Sequence, residues 1–180
     1  MKKFLAMLMA VMMVLSLVTV PVMAETPAAN DPRLSIAPKT GTAAAPADAA
    51  NLNEALNVAG GTLTFTSEGD HPWIVDGDAA KSTNVNVANS TSTVSTTVTA
   101  AAGDILQFDF MSFGEGSGNY VWDGLHLTVD GTEVMKWSRV ETWTTYAVEL
   151  TAGEHTVAWS YQKDGSVDRV GDYATVDNVY

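Results

Sequence analysis

Beyond residue 52 the sequence predicts an all-β fold, an antiparallel β-sandwich in a jelly-roll arrangement. Three observations predict it. Apolar residues recur at every second position in short runs, Gly-, Asp- and Asn-containing turn signals separate the runs at regular spacing, and no helical period outlasts a single turn. About eight such runs cannot bury their apolar faces singly, and stacking two sheets buries all of them.

The chain opens with Lys2 and Lys3, an apolar run over residues 4–20, Pro21, and Val22-Met23-Ala24. A positive start, an apolar stretch short for a membrane span and a small-residue site are the pattern of a secretory signal, with cleavage expected after Ala24. A retained membrane anchor is the alternative. No cysteine follows the run, which excludes a lipid-anchored lipoprotein. Residues 25–51 hold four of the six prolines (Pro27, Pro32, Pro38 and Pro46) and read as a flexible Ala/Pro-rich spacer, or else a propeptide.

Folded sequence is expected from Leu52, with one helical turn over residues 52–56. Leu63 and Phe65 alternate with threonines, and so do Val94 and Val98. Leu106, Phe108 and Phe110 share one face of the next strand, and Leu125, Leu127 and Val129 one face of another. Asp130-Gly131 is a two-residue hairpin signal before the run ending at Trp137. Tyr146, Val148 and Leu150 precede an Ala152-Gly153 turn, Val157, Trp159 and Tyr161 share a face, and residues 173–180 form the last strand. The run continues to Tyr180, so a chain that is the N-terminal piece of a longer surface protein is expected.

Composition narrows the chemistry. Removing residues 1–24 takes two of nine basic residues and none of the 21 acidic ones. A chain this acidic is a poor partner for nucleic acid or an anionic membrane. Cysteine is absent, so thiol catalysis and thiolate metal sites are excluded. His71, His126 and His155 are isolated, with none at ligand spacing for zinc. The segment Gly114-Glu115-Gly116-Ser117-Gly118 lacks the form of a nucleophile elbow or a phosphate loop and reads as a mobile loop. Glu115, Asp123, Glu133 and Glu141 could serve glycoside hydrolysis only if two faced each other across a cleft, which spacing cannot decide.

Aromatic residues carry the remaining signal. Trp159 and Tyr161 lie on a core face, whereas Trp73, Trp137 and Trp143 stand near turns or strand ends, where either role fits. Tyr120 and Trp122 follow the Gly/Ser segment and precede Asp123. Rings beside a carboxylate can stack on a sugar face while the acid accepts hydroxyl protons, so Tyr120, Trp122 and Asp123 are the candidate ligand-binding residues.

Ala55-Leu56-Asn57-Val58, Gly60-Gly61-Thr62, Gly69-Asp70, Pro72-Trp73, Phe108-Asp109-Phe110 and the closing Gly153-x-His155-Thr156, Trp159-x-Tyr161-x-Lys163-Asp164 and Asp177-Asn178-Val179 come in a characteristic order. In that order the chain resembles bacterial surface jelly-roll adhesin repeats, the cleaved-adhesin modules of gingipains and, more distantly, MAM domains. Tyr120-Val121-Trp122-Asp123-Gly124 departs from that pattern. The resemblance implies a concanavalin-like or galactose-binding-like sandwich, an extracellular location, and a host or extracellular glycan or protein ligand. It also implies structural calcium, with Glu68 and Asp70 beside the first strand and Asp177 in the last as the expected oxygen ligands. Turn capping by these acids is the alternative. The expected function is a non-catalytic adhesion or carbohydrate-binding module; an accessory domain of an extracellular hydrolase or peptidase and a structural spacer are the alternatives.

Overall fold

A computed structural model describes residues 49–117, 120–166 and 171–180. The expected signal, residues 1–24, and nearly all of the expected spacer lie outside them. Backbone contacts begin slightly before Leu52: Ala49 N–H donates to Gly77 O at 3.0 Å. Asn51 caps the helix α1 (Leu52–Leu56) by accepting from Glu54 N–H, and the Glu54 carboxylate reaches back to Ala50 N–H at 2.9 Å. This reciprocal pairing satisfies donors that a five-residue helix could not otherwise place.

The strands are β1 (Phe65–Thr66), β2 (Ile74–Asp76), β3 (Ala79–Lys81), β4 (Thr91–Ala100), β5 (Ile105–Phe113), β6 (Gly116–Ser117), β7 (Tyr120–Val121), β8 (Gly124–Val129), β9 (Thr132–Trp137), β10 (Val140–Glu149), β11 (Gly153–Gln162) and β12 (Tyr173–Asp177). They form two five-stranded antiparallel sheets, ordered β1-β4-β11-β8-β9 and β10-β5-β12-β3-β2, and a separate ribbon β6-β7. The jelly-roll sandwich expected from the alternation is the fold observed. No helix among the described residues is long and apolar enough to cross a membrane.

Register explains which residues face inward. Trp159 pairs with Val94 on one side and Leu127 on the other, and all three are fully buried. Across the interior, Phe108 and Phe110 project from β5, with Tyr146 of β10 opposite Phe108. Phe108 meets Trp159 edge-on at 5.3 Å between ring centres, and lies within 6.1 Å of Phe110, Trp137 and Tyr146. One alternating strand thereby knits both sheets.

Two elements depart from the sequence reading. β2 and β3, which the periodicity does not reveal, pair across a hairpin turn at Asp76-Gly77-Asp78, with Gly77 at φ 70°. The Gly-rich segment expected to be a loop contributes β6 to an ordered ribbon. A Cβ on Gly114 would collide with the Asp123 carbonyl oxygen, so glycine is what lets the two ribbon arms meet at their base.

The Asp130-Gly131 turn is observed, with both residues at positive φ (52° and 75°). Asp130 also clasps β11. Its Oδ2 lies 2.7 Å from His155 Nδ1, and its Oδ1 accepts from Thr156 N–H at 2.9 Å. His155 Nε2 faces Thr151 O at 3.0 Å. With an acceptor at each ring nitrogen the imidazolium is favoured: the Asp130 hydrogen bond, then the Thr151 carbonyl, raise His155 above its usual 6.5. The same hydrogen bond holds Asp130 below 3.8. His155 therefore contributes stability below pH 6.5 that is lost as pH rises through its raised value, and Asp130 contributes above pH 3.8. Asp130→Asn keeps the turn and the bond from Thr156. It is expected to lower the melting temperature more at pH 5.5 than at pH 8.5, and an equal loss at both would refute the charged clasp.

Candidate functional site

The ribbon β6-β7 joins β5 of one sheet to β8 of the other at one end of the sandwich. Its base is closed by Glu115 N–H to Asp123 O at 3.0 Å and by Trp122 and Asp123 N–H to Glu115 O at 2.9 and 3.0 Å. On this frame Tyr120 is 72% exposed and Trp122 44% exposed. Large rings held in water by a hydrogen-bonded ribbon form a surface that a flat apolar face can cover with little further ordering.

Asp123, expected to accept hydroxyl protons beside those rings, faces the interior and is 1% exposed. Its Oδ2 lies 3.1 Å from Lys163 Nζ, and Asp172 Oδ2 lies at the same distance from that nitrogen. Asp123 Oδ1 accepts from Asp164 N–H at 2.8 Å. The correction has a physical reason: a lysine side chain with no solvent exposure requires counter-charge, and Asp123 at the ribbon base provides it. Burial pushes the Asp123 carboxyl above the usual carboxylate range, outweighing the Asp164 N–H and Lys163, which favour its ionised form. Asp123 thus positions the ribbon from beneath while Tyr120 and Trp122 face solvent.

The three carboxylates expected to share calcium are not brought together. Glu68 and Asp70 are exposed in the segment after β1, where the neighbouring His71 O accepts from Ser92 Oγ. Asp177 is buried on β12, opposite Asp109 of β5. Ser92 Oγ also meets Thr83 N–H, and Ser82 pairs with Ala174. Asp177 lies three residues along β12 from Ala174, roughly 10 Å at the rise of a strand. Among the described residues no group of three or more His, Asp or Glu side chains is arranged to hold a metal ion. These residues therefore do not fit a shared cation.

The four carboxylates weighed for hydrolysis are also dispersed. Asp123 is buried, Glu115 sits at the ribbon base, Glu141 is exposed on β10, and Glu133 on β9 pairs with His126 at 2.7 Å and Lys136 at 3.1 Å. The undecided tryptophans separate cleanly. Trp73 is core, Trp137 packs against Phe110 at 4.4 Å, and Trp143 is 48% exposed on β10.

A second set of side chains, not singled out by the sequence, surrounds the strand that leads into the ribbon. Phe113, the last residue of β5 before the ribbon, stacks on Tyr173 of β12 with ring centres 4.7 Å apart. Lys81 Nζ lies 4.2 Å from the Tyr173 ring centre and 3.0 Å from Asp76 Oδ2. All sit on the outer face of the second sheet, because Phe113 is opposite Tyr173 and both Ile74 and Thr175 are opposite Lys81, in register with the inward Ala80–Val176 pair. The sequence does hold a signal for Phe113: it occupies the outward parity of a strand whose alternate positions, Leu106, Phe108 and Phe110, are core.

Fold and geometry together define a jelly-roll sandwich with exposed aromatic side chains at one end. No family model matches the chain, and no curated protein matches its sequence. Among solved structures it is similar to part of the secreted serine protease VesC from Vibrio cholerae, at 17% identity and TM-score 0.53, over 65% of this chain and 24% of that one. This chain therefore spans about a quarter of that protein. It is also similar to the K3 cleaved adhesin domain of Lys-gingipain from Porphyromonas gingivalis, at 13% identity and TM-score 0.46, over 65% and 88% of the two chains. The CBM22-2 xylan-binding domain of Paenibacillus barcinonensis Xyn10C matches at 9% identity and TM-score 0.41, over 72% and 95%.

Proposed function

We propose that this chain is a non-catalytic glycan-binding or adhesion module of a secreted or cell-surface bacterial protein, and that it binds through the ribbon residues Tyr120 and Trp122. The observation that carries the reading is the exposure of these two rings on a ribbon anchored by the buried Asp123–Lys163–Asp172 cluster. Rings on a free loop would be ordered only at an entropic cost on binding; rings on an anchored ribbon escape much of it. The secretory pattern of residues 1–24 supports the extracellular placement. A second reading, an accessory domain of an extracellular hydrolase or peptidase, draws on the match to one portion of a secreted protease.

The test is retardation in native gels containing soluble neutral polysaccharides, followed by titration against whichever retards the protein. Trp122→Ala is expected to weaken binding about tenfold to a hundredfold, as loss of one stacked ring does, with the melting temperature nearly unchanged. Binding that survives both Trp122→Ala and Tyr120→Ala at wild-type affinity would place the site elsewhere.

A further inference from the structure

The cluster beneath the ribbon has the parts of a bond-forming site. Lys163 Nζ is an amine with no solvent exposure, 3.1 Å from Asp123 Oδ2. Asp164 N–H donates to the other oxygen of that carboxyl, Oδ1, at 2.8 Å. A second carboxylate, Asp172 Oδ2, sits 3.1 Å from the same nitrogen. The two acids are 1% and 2% exposed, so bulk water is kept from all three groups. A nucleophile, an electrophilic carbon, a donor placed where negative charge would develop and a proton carrier thus occupy one dry site.

We propose that Lys163 and Asp123 join in an intramolecular amide bond that the folded protein forms by itself. Lys163 passes a proton to Asp172, and the free amine attacks Cγ of Asp123. The Asp164 N–H stabilises the oxyanion that develops on Oδ1. Asp172 then returns its proton to Oδ2 and relays a second one to it from the attacking nitrogen, the Cγ–Oδ2 bond breaks, and Oδ2 leaves as water. In sum an ammonium and a carboxylate become an amide and one water. Of the three ammonium protons, one stays on the amide nitrogen and two depart with the oxygen.

Two physical features favour the step. Burial disfavours the charged form of the Asp123 carboxyl, which lowers the barrier to attack at its carbon. Two of the three buried charges also become one neutral amide, which removes the cost of keeping that pair out of water. The bond would fasten the base of the ribbon, where β8 begins, to the residue just after β11, closing a loop across 40 positions of the chain. The inference is independent of what the ribbon binds.

Intact mass of the full chain tests it without perturbing the fold. The wild-type protein is expected to be lighter than its processed sequence by one water, about 18 Da. Lys163→Arg, whose guanidinium does not form the amide, is expected to have its full sequence mass. An Asp123-Gly124 succinimide would lose the same water, so the digest decides between them. Tandem mass spectra should show a branched peptide joining residue 163 to residue 123 that survives hydroxylamine. A folded wild-type sample at full sequence mass after prolonged incubation would overturn the proposal, as would a missing water that maps to any other residue. Because the wild-type mass is decisive, the test stands even where Lys163→Arg folds poorly.

Discussion

Lys163→Met is expected to destabilise the protein by about 3–5 kcal/mol, the usual cost of leaving buried charge without its partner. The methionine fills most of the lysine volume, so the loss is electrostatic. Asp123 and Asp172 would remain 1% and 2% exposed, with the ammonium that faces both of them at 3.1 Å gone. Loss of an amide at Lys163 would add to the effect by releasing the ribbon base.

The pH dependence has a definite sign. As a free carboxyl, Asp123 titrates above its usual 3.8 because burial penalises its charge. Removing the lysine raises it further. A carboxyl whose folded pKa is raised holds its proton more readily than the unfolded chain does. It therefore adds stability as pH falls through the raised value toward 3.8 and adds least above that range. Urea midpoints for Lys163→Met should thus lie far below wild type at pH 7.5 and approach it near pH 5. A deficit independent of pH would mean that packing or a lost Lys163–Asp123 cross-link, not charge, dominates the cluster.

Phe108→Ala is expected to cost about 3–5 kcal/mol, from lost burial and the cavity left behind. Phe108 is fully buried and touches rings of both sheets, Trp159 on one side and Tyr146 on the other. Its neighbours are themselves large and interlocked, with Trp137 4.9 Å from Tyr146, so the hole has little room to collapse. The control is Trp143→Ala, an aromatic deletion of greater volume at a site 48% exposed, expected to change stability by about 0.5 kcal/mol or less. Chemical denaturation of the three proteins in parallel checks both values. Equal effects for Phe108 and Trp143 would contradict the assignment of faces.

Those faces were readable because a strand has a period of two. Leu106-x-Phe108-x-Phe110 and Val157-x-Trp159-x-Tyr161 declare their inward sides in the bare sequence, and Asp130-Gly131 declares its turn by needing positive φ twice. The short pair β2-β3 escaped notice because three residues per strand are too few to show an alternation. The ribbon escaped because Gly114 and Gly116 resemble flexibility locally, whereas close approach to Asp123 and Ser138 makes them packing residues.

At the site the division is sharper. Tyr120 and Trp122 are legible as rings beside a turn, and the structure leaves both exposed. Asp123 is not legible. Its partner Lys163 is 40 positions away and Asp172 a further nine, and no local pattern reveals that a lysine has been drawn out of solvent. Glu68, Asp70 and Asp177 show the converse, acids plentiful in the sequence that the chain path keeps apart.

By itself, then, the sequence determined the all-β class, the inward side of each long strand, and the exclusion of thiol chemistry, since periodicity and composition are local properties. Tertiary structure alone decided which charges share a dry pocket and which rings remain in water. Those outcomes depend on distances between strands far apart in the chain, where burial alters the energy of a charge far more than its sequence neighbours do.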